Sequence, residues 1–140
     1  MPRLIGKNIL ITGASSGIGQ AIAVRFAQEG ANVAINYRSG PEQAEATEVL
    51  VSEACMAVRD TGCKDLVIQA DISKEDQVQT MFAKVIESFG SIDVLVNNAG
   101  IQKPCATHEI EAADFDRVLG VNLRGAFLCS REAIRHFLTR

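Results

Sequence analysis

Apolar residues along this chain fall into two kinds of pattern, which alternate from the amino terminus onwards. Short continuous apolar runs predict strands that are buried on both faces, as in a parallel sheet. Longer segments with apolar residues at every third or fourth position predict amphipathic helices. The four predicted strands are Asn8–Thr12, Ala31–Tyr37, Leu66–Ile68 and Val94–Val96.

The predicted helices begin and end at residues that suit those positions. The clearest has an apolar stripe from Val78 to Phe89, a start at Ser73 as N-cap with Asp76 three residues later, and a stop at Gly90. The other helices are expected after Gly17 as far as Gly30, from Glu42 to about Thr61, at Ala112–Leu119 and from about Asn122 to Leu138.

This alternation of strands and helices is typical of an α/β protein with a doubly wound parallel sheet. Right-handed crossovers predict the strand order 3-2-1-4, with residues 1–140 forming one domain. The ligand crevice of such a sheet opens at the carboxyl ends of strands 1 and 4. Four chemically distinctive stretches meet at this edge: Thr12–Gly19, Arg38, Asp71 and Asn97–Gly100.

A glycine-rich turn follows the first strand and leads directly into a helix. Gly13 allows a sharp turn, Gly17 lets a phosphate approach the backbone, and Gly19 lets the helix pack closely on the strand. The free N–H groups of the first helical turn favour an anion, and Ser15 and Ser16 add hydroxyl donors. The spacing Gly-x-x-x-Gly-x-Gly differs from the standard dinucleotide fingerprint. An ordinary glycine-rich turn is the alternative, but the context of strand and helix favours phosphate binding.

Composition excludes several classes of function. The net charge of −3 gives no electrostatic reason to expect a nucleic-acid partner. No apolar run is as long as a membrane span, and Met1–Lys7 does not resemble a secretory signal. The four cysteines have no metal-ligand spacing, so we expect no metal site. They are predicted to be buried or half-buried free thiols in a reducing cytoplasm.

Four motifs together resemble those of the short-chain dehydrogenase/reductase family. They are Thr12–Gly19, Asp71–Ile72, Asn97–Gly100 and Val121–Leu123, and the resemblance covers essentially the whole chain in order. Within the family, Ile35–Ser39 and Arg124–Phe127 look most like bacterial glucose 1-dehydrogenases and their oxoacyl-reductase relatives. The resemblance implies a Rossmann-type fold and a nicotinamide dinucleotide cofactor.

The resemblance also implies a role for each matching residue. The pyrophosphate would lie against Gly13, Ser15, Gly17, Ile18 and Gly19, and the ribose against Asn98, Ala99 and Gly100. Asp71 would accept a hydrogen bond from the adenine amino group, with Ile72 against the ring. Alternatively, Asp71 is a helix-start carboxylate beside Ser73, and Asn97–Gly100 is only a turn.

The catalytic residues of the family are represented only in part. Asn122 resembles the asparagine that helps to organise a proton-relay water, or is simply the polar start of the last helix. The family's acid–base tyrosine, with a lysine four residues later, has no match, because the only tyrosine is Tyr37 and Pro41 stands four residues on. We therefore expect the cofactor-binding portion of an NAD(P)-dependent oxidoreductase, inactive in hydride transfer by itself. A non-catalytic nucleotide-binding or interaction fragment is the alternative.

Residues after the second strand bear on the choice of cofactor. A carboxylate there would bind the ribose hydroxyls and repel a 2′-phosphate, but this chain has Tyr37 followed by Arg38 and Ser39. A guanidinium can make two parallel hydrogen bonds to a phosphate, and a serine hydroxyl adds a donor. The sequence therefore predicts NADP, with NAD as a second candidate. Alternatively, Arg38 is a solvated surface arginine.

An apolar surface is expected at one edge of the sheet. Val94–Val96 is apolar on both faces and has none of the lysine or proline residues that protect natural edge strands. The last helix carries more apolar side chains than four strands can cover: Leu123, Phe127, Ile134, Phe137 and Leu138. Such a surface favours self-association or pairing with a full-length homologue.

Overall fold

The computed structural model describes residues 1–140 and contains one four-stranded sheet with helices on both faces. The strands are β1 (Asn8–Ile11), β2 (Asn32–Tyr37), β3 (Asp65–Gln69) and β4 (Val94–Val96). The helices are α1 (Gly17–Gln28), α2 (Pro41–Met56), α3 (Glu75–Phe89), α4 (Ala112–Leu119) and α5 (Ala126–Leu138), with a π-helical segment, Gly120–Gly125, before α5.

All four strands are parallel, and their order is β3-β2-β1-β4. This confirms the predicted doubly wound topology. In the centre of the sheet, Leu10 of β1 pairs with Ala34 of β2 on one side and with Leu95 of β4 on the other. Because the strands are parallel, their carboxyl ends lie along one edge, where the glycine-rich turn follows β1.

The side chains of β1 alternate between two hydrophobic cores, as the pleat of a strand requires. Leu10 belongs to the core that α3 and α5 cover, whereas Ile9 and Ile11 belong to the core that α1 and α2 cover. All three side chains are buried. The continuous apolar run of β1 therefore reflects burial on both faces of the sheet.

Two predicted features of the helices are wrong. Ser73 does not cap α3, because Lys74 occupies that position and the Ser73 hydroxyl instead donates a hydrogen bond to Asp71. Helix α2 ends at Met56 rather than near Thr61, and the chain then turns through Asp60, which has a left-handed φ of 61°. The apolar periodicity thus continues beyond the true end of the helix.

Two cysteines also differ from the expectation of free thiols. Cys55 and Cys63 are joined in a disulfide, so the prediction is wrong for this pair. Cys129 is a free, buried thiol, as expected, whereas Cys105 is free but exposed, so the predicted burial is wrong for Cys105.

One buried hydroxyl joins the carboxyl ends of β1 and β4. The side chain of Thr12 is fully buried, and its Oγ1 accepts hydrogen bonds from the backbone N–H groups of Asn98 and Ala99, each at 3.0 Å. The Thr12 backbone N–H donates to the Val96 carbonyl at 3.1 Å. The turn after β1 and the loop after β4 are therefore held together by Thr12.

The outer side of β4 is an edge of the sheet, as expected. Leu123, Phe127, Ile134, Phe137 and Leu138 are all exposed. None of the helices combines the length and the apolar character needed to cross a bilayer.

Replacing Thr12 by valine should destabilise the fold. Thr12→Val keeps the shape of the side chain but leaves the Ala99 N–H without an acceptor, and the Asn98 N–H keeps only its hydrogen bond to the Val96 carbonyl at 3.1 Å. A buried donor without a partner costs about 1–3 kcal/mol, so the free energy of unfolding, measured by urea denaturation, should fall by about that amount. Thr12→Ser, which keeps the hydroxyl, is the matched control. An equal loss for both variants would contradict the role of the hydroxyl.

Candidate functional site

A cleft of about 450 Å³ opens at the carboxyl edge of the sheet. Most of the residues predicted from the sequence line this cleft: Gly13, Ser15, Ser16, Ile18, Arg38, Ser39, Asp71, Ile72, Asn98, Ala99 and Gly100. Gly17 and Gly19 belong to the same turn without lining it, and Asn122 lines a neighbouring depression. The turn after β1 and the loops after β2, β3 and β4 thus contribute to one cavity.

The glycines of the turn are required for different reasons. Gly13 has a left-handed φ of 61°, and a Cβ there would lie 2.8 Å from the Ala99 Cα. Gly17 also has a left-handed φ, of 57°, but open space surrounds it. A Cβ on Gly19 would lie 2.5 Å from both the Asn98 Nδ2 and the Gly13 carbonyl oxygen. The first and third glycines therefore permit close packing, whereas Gly17 leaves the face of the turn open.

The amino terminus of α1 faces the cleft without a side-chain cap. Ser16 occupies the N-cap position in an extended conformation, and its hydroxyl makes no capping hydrogen bond. Ile18, in the first helical turn, is 75% exposed. Free N–H groups and the positive end of the helix dipole make this terminus suited to a phosphate.

Two asparagine side chains hold the glycine turn in place. Asn98 donates through Nδ2 to the carbonyl oxygens of Thr12 (3.1 Å) and Gly13 (3.0 Å). Asn36, which is buried in β2, accepts a hydrogen bond from the Gly13 N–H at 3.2 Å. Its Nδ2 lies 3.2 Å from the carbonyl oxygen of Ala70, after β3. Asn36 thus connects three of the cleft-forming segments.

Sequence reasoning missed Asn36 and Thr47 as supports of the site. Asn36 carries a signal, because an amide inside an otherwise apolar buried strand requires hydrogen-bond partners. Thr47 gives no such signal in the middle of α2. Its fully buried hydroxyl lies 3.0 Å from the Ser15 carbonyl oxygen and accepts a hydrogen bond from the Gln20 side chain at 2.9 Å.

Asp71, after β3, is an ionised acceptor that the local backbone holds in place. Its Oδ1 accepts hydrogen bonds from the Ser73 hydroxyl (2.6 Å) and the Ser73 N–H (3.0 Å). Burial opposes ionisation, but the bonds from Ser73 and the positive charges of Arg38 and Lys74 outweigh it, so the pKa of Asp71 lies below its ordinary value. The contacts with Ser73 correspond to the alternative interpretation of Asp71 as a helix-start carboxylate, and they leave the residue on the cleft wall.

Asn122 lies in the π-helical segment and fixes the loop after β4. Its Oδ1 accepts a hydrogen bond from the Ile101 N–H, and its Nδ2 donates to the Ile101 carbonyl oxygen, both at 2.8 Å. The predicted start of the last helix, near Asn122, lies inside this π-helical segment, and the regular α-helix begins only at Ala126. Such distortions occur frequently at functional sites.

Known proteins match both the sequence and this geometry. A family model described as short chain dehydrogenase matches residues 7–140. A glucose 1-dehydrogenase of Gluconobacter oxydans is 44% identical over 136 residues, which are 97% of this chain and 48% of that protein.

Two solved structures also resemble the fold. A Burkholderia cenocepacia short chain dehydrogenase in complex with NADP is 40% identical, with a TM-score of 0.87 over 96% of this chain and 52% of that one. A Brucella melitensis 3-ketoacyl-(acyl-carrier-protein) reductase complexed with NADH is 42% identical, with a TM-score of 0.84 over 96% of this chain and 51% of that one.

The chain spans about half the length of the relatives that it matches. The family model extends over residues 7–140, which include all four strands and every residue that lines the cleft. The chain therefore belongs to the short-chain dehydrogenase/reductase family.

Proposed function

We propose that this chain is the cofactor-binding portion of an NADP-preferring cytoplasmic oxidoreductase that transfers hydride between nicotinamide and an alcohol or sugar. The observation that carries the proposal is the single cleft in which the glycine turn, Arg38, Asp71 and Asn98 meet. The similarity to a glucose 1-dehydrogenase supports a sugar as the substrate. The bound nicotinamide would supply the hydride chemistry, and the residues of the cleft would bind and orient the cofactor.

The cleft residues fit the parts of a dinucleotide. The uncapped start of α1 and the hydroxyls of Ser15 and Ser16 would bind the pyrophosphate. The ionised carboxylate of Asp71 would accept a hydrogen bond from the adenine amino group, with Ile72 against the ring. Asn98–Gly100 would line the ribose on the opposite wall.

Arg38 and Ser39 support a preference for NADP. Both residues are exposed at the carboxyl end of β2 and line the cleft. The side chain of Arg38 is positively charged, and neither Tyr37 nor Ser39 supplies a carboxylate that would repel a 2′-phosphate. A guanidinium and a hydroxyl at this point suit a phosphate monoester.

Asn122 would help to organise a proton-relay water in the completed active site. Its amide group is held by two hydrogen bonds to Ile101 and therefore has a fixed orientation. A general acid–base residue typically contributes a factor of about 10²–10⁴ to the rate. The 140 residues contain no Tyr-x-x-x-Lys pair to supply one.

A second candidate function, an interaction fragment, is favoured by the surface of α5. Phe127, Ile134 and Leu138 are exposed on this helix, and Leu123 is exposed in the π-helical segment before it. These exposed apolar side chains and the open edge of β4 both suit a second copy of the chain or a full-length homologue.

Removing the Arg38 guanidinium should weaken NADP binding selectively. A charge-assisted hydrogen bond contributes about 1.5–3 kcal/mol, so we expect Arg38→Ala to raise the Kd for NADP about tenfold or more. The Kd for NAD should change little, because NAD lacks the 2′-phosphate. Titration calorimetry with both cofactors measures the difference, and Arg59→Ala, an exposed arginine on another loop, is the control. Equal losses for NADP and NAD would show that Arg38 does not recognise the 2′-phosphate.

The 140-residue chain should bind NADP without transferring hydride. Purified chain, NADP and glucose are incubated while nicotinamide absorbance is followed, after calorimetry has established that NADP binds. The absence of the acid–base pair predicts no turnover above background. Turnover at a rate normal for these enzymes would overturn the proposed division between binding and chemistry.

The chain should self-associate through the surface of α5. Sedimentation velocity at micromolar concentrations should show a concentration-dependent increase in mean mass. Phe127→Glu, which adds charge to the exposed surface, should reduce it, whereas Lys84→Glu on the exposed side of α3 should not. A stable monomer for the unmodified chain is the outcome that contradicts this interpretation.

A further inference from the structure

A pair of cysteines lies far from the cleft, at the amino-terminal end of β3. Cys55, in the last turn of α2, is joined to Cys63, just before β3, and their Cα atoms are 6.0 Å apart. Both cysteines are half-buried, and Gly62 and Lys64, on either side of Cys63, are exposed. A small thiol reagent can therefore approach the pair from solvent.

The local backbone brings the two cysteines together. After α2 ends, the Val58 N–H donates a hydrogen bond to the Cys55 carbonyl at 3.0 Å, and the Thr61 hydroxyl donates to the Val58 carbonyl at 3.3 Å. Asp60 and Gly62 both have left-handed φ values, of 61° and 55°. These two residues reverse the chain, so the approach of the sulfur atoms follows from an ordered turn.

The surroundings of the sulfur atoms suit the reduced pair as well as the disulfide. The Cys55 Sγ lies 3.1 Å from the Cys63 carbonyl oxygen, to which a reduced thiol can donate. The Thr61 hydroxyl oxygen lies 3.5 Å from the Cys63 Sγ, so a reduced Cys63 thiol can donate to it while the Thr61 proton stays on the Val58 carbonyl. Both oxidation states therefore have partners in the same loop.

The other two cysteines lack these features. Cys105 is exposed and has no cysteine partner within the chain. Cys129 is buried, and burial raises the pKa of its thiol to about 12, so it is almost entirely protonated and unreactive at neutral pH. A disulfide within the chain is thus confined to Cys55 and Cys63.

We propose that Cys55 and Cys63 form a reversible dithiol–disulfide site that reacts with low-molecular-weight disulfides such as glutathione disulfide. One cysteine thiolate attacks glutathione disulfide and releases one glutathione thiolate. The second cysteine thiolate then attacks the mixed disulfide and releases the other glutathione. Two electrons pass from the protein to glutathione disulfide, and the two thiol protons end on the two released glutathione molecules.

This site is independent of the proposed cofactor function. The pair lies at the amino-terminal edge of the sheet, and neither cysteine lines the cleft at the opposite edge. Redox titration requires neither NADP nor substrate. A failure of cofactor binding and a failure of this proposal can therefore be observed separately.

The test measures how strongly the fold favours the disulfide. The chain carrying Cys105→Ser is equilibrated with defined ratios of reduced and oxidised glutathione, in native buffer and in concentrated guanidinium chloride. Samples are quenched with acid and alkylated, and peptide mass spectrometry gives the fraction with a Cys55–Cys63 bond. We expect the effective concentration of the two thiols to be at least about tenfold higher in native buffer, because the turn holds them together. Equal values in both solvents, or a predominance of glutathione adducts, would overturn the proposal.

A backbone variant tests the turn without changing either sulfur. Gly62 has a left-handed φ, and a Cβ added there would have no atom within 4 Å, so Gly62→Ala disfavours the turn without a steric clash. The cost of a left-handed backbone for alanine predicts a loss of effective concentration of about five- to thirtyfold. Gly90→Ala is the matched control, because Gly90 also has a left-handed φ and open space but lies after α3. No loss in Gly62→Ala, or the same loss in both variants, would show that the turn does not build the site.

Discussion

The carboxyl edge of the sheet depends on one buried hydrogen-bonding group, the hydroxyl of Thr12. The chain leaves β1 and β4 side by side at this point, and the backbone N–H groups of Asn98 and Ala99 have left the strand ladder. The Asn98 N–H also reaches the Val96 carbonyl, but the Ala99 N–H would be costly to bury without the Thr12 hydroxyl as its acceptor. Because Thr12 accepts both, the loop after β4 lies against the glycine turn. The close approach of Ala99 in turn requires a glycine at position 13.

The same constraint explains why two amide side chains, Asn36 and Asn98, line the cleft beside the glycine turn. A turn that bends sharply away from its strand exposes the carbonyl oxygens of Thr12 and Gly13 and the N–H of Gly13. Asn98 satisfies the carbonyls, and Asn36 accepts from the N–H. With these backbone groups paired inside the protein, the N–H groups at the start of α1 remain free to bind an anion.

The sequence alone predicts the topology and most of the cleft-lining residues, because both follow from local signals. Apolar runs locate the strands, and parallel strands necessarily bring their carboxyl ends to one edge. The supports of the site are harder to predict. The contact of Thr47 with Ser15 joins residues far apart in the chain, and nothing in the pattern of α2 marks it. The residue type of Ser73 suits a helix cap, but Asp71 competes for the same hydroxyl. The disulfide of Cys55 and Cys63 depends on the early end of α2 and two left-handed residues, which helical periodicity does not predict.

Helix α2 runs from the cleft at the carboxyl edge of the sheet to the cysteine pair at the opposite edge. Its amino terminus follows Arg38 and Ser39, its middle supports the Ser15 carbonyl through Thr47, and its carboxyl terminus carries Cys55. Val51 and Ala54, both buried, anchor the second half of the helix in the core that α1 shares. Both residues lie between Thr47 and Cys55, so their packing limits how far a conformational change at Cys55 can extend towards Thr47. For this reason oxidation of the cysteine pair should act mainly on the stability of α2 and β3, while the glycine turn after β1 keeps its geometry.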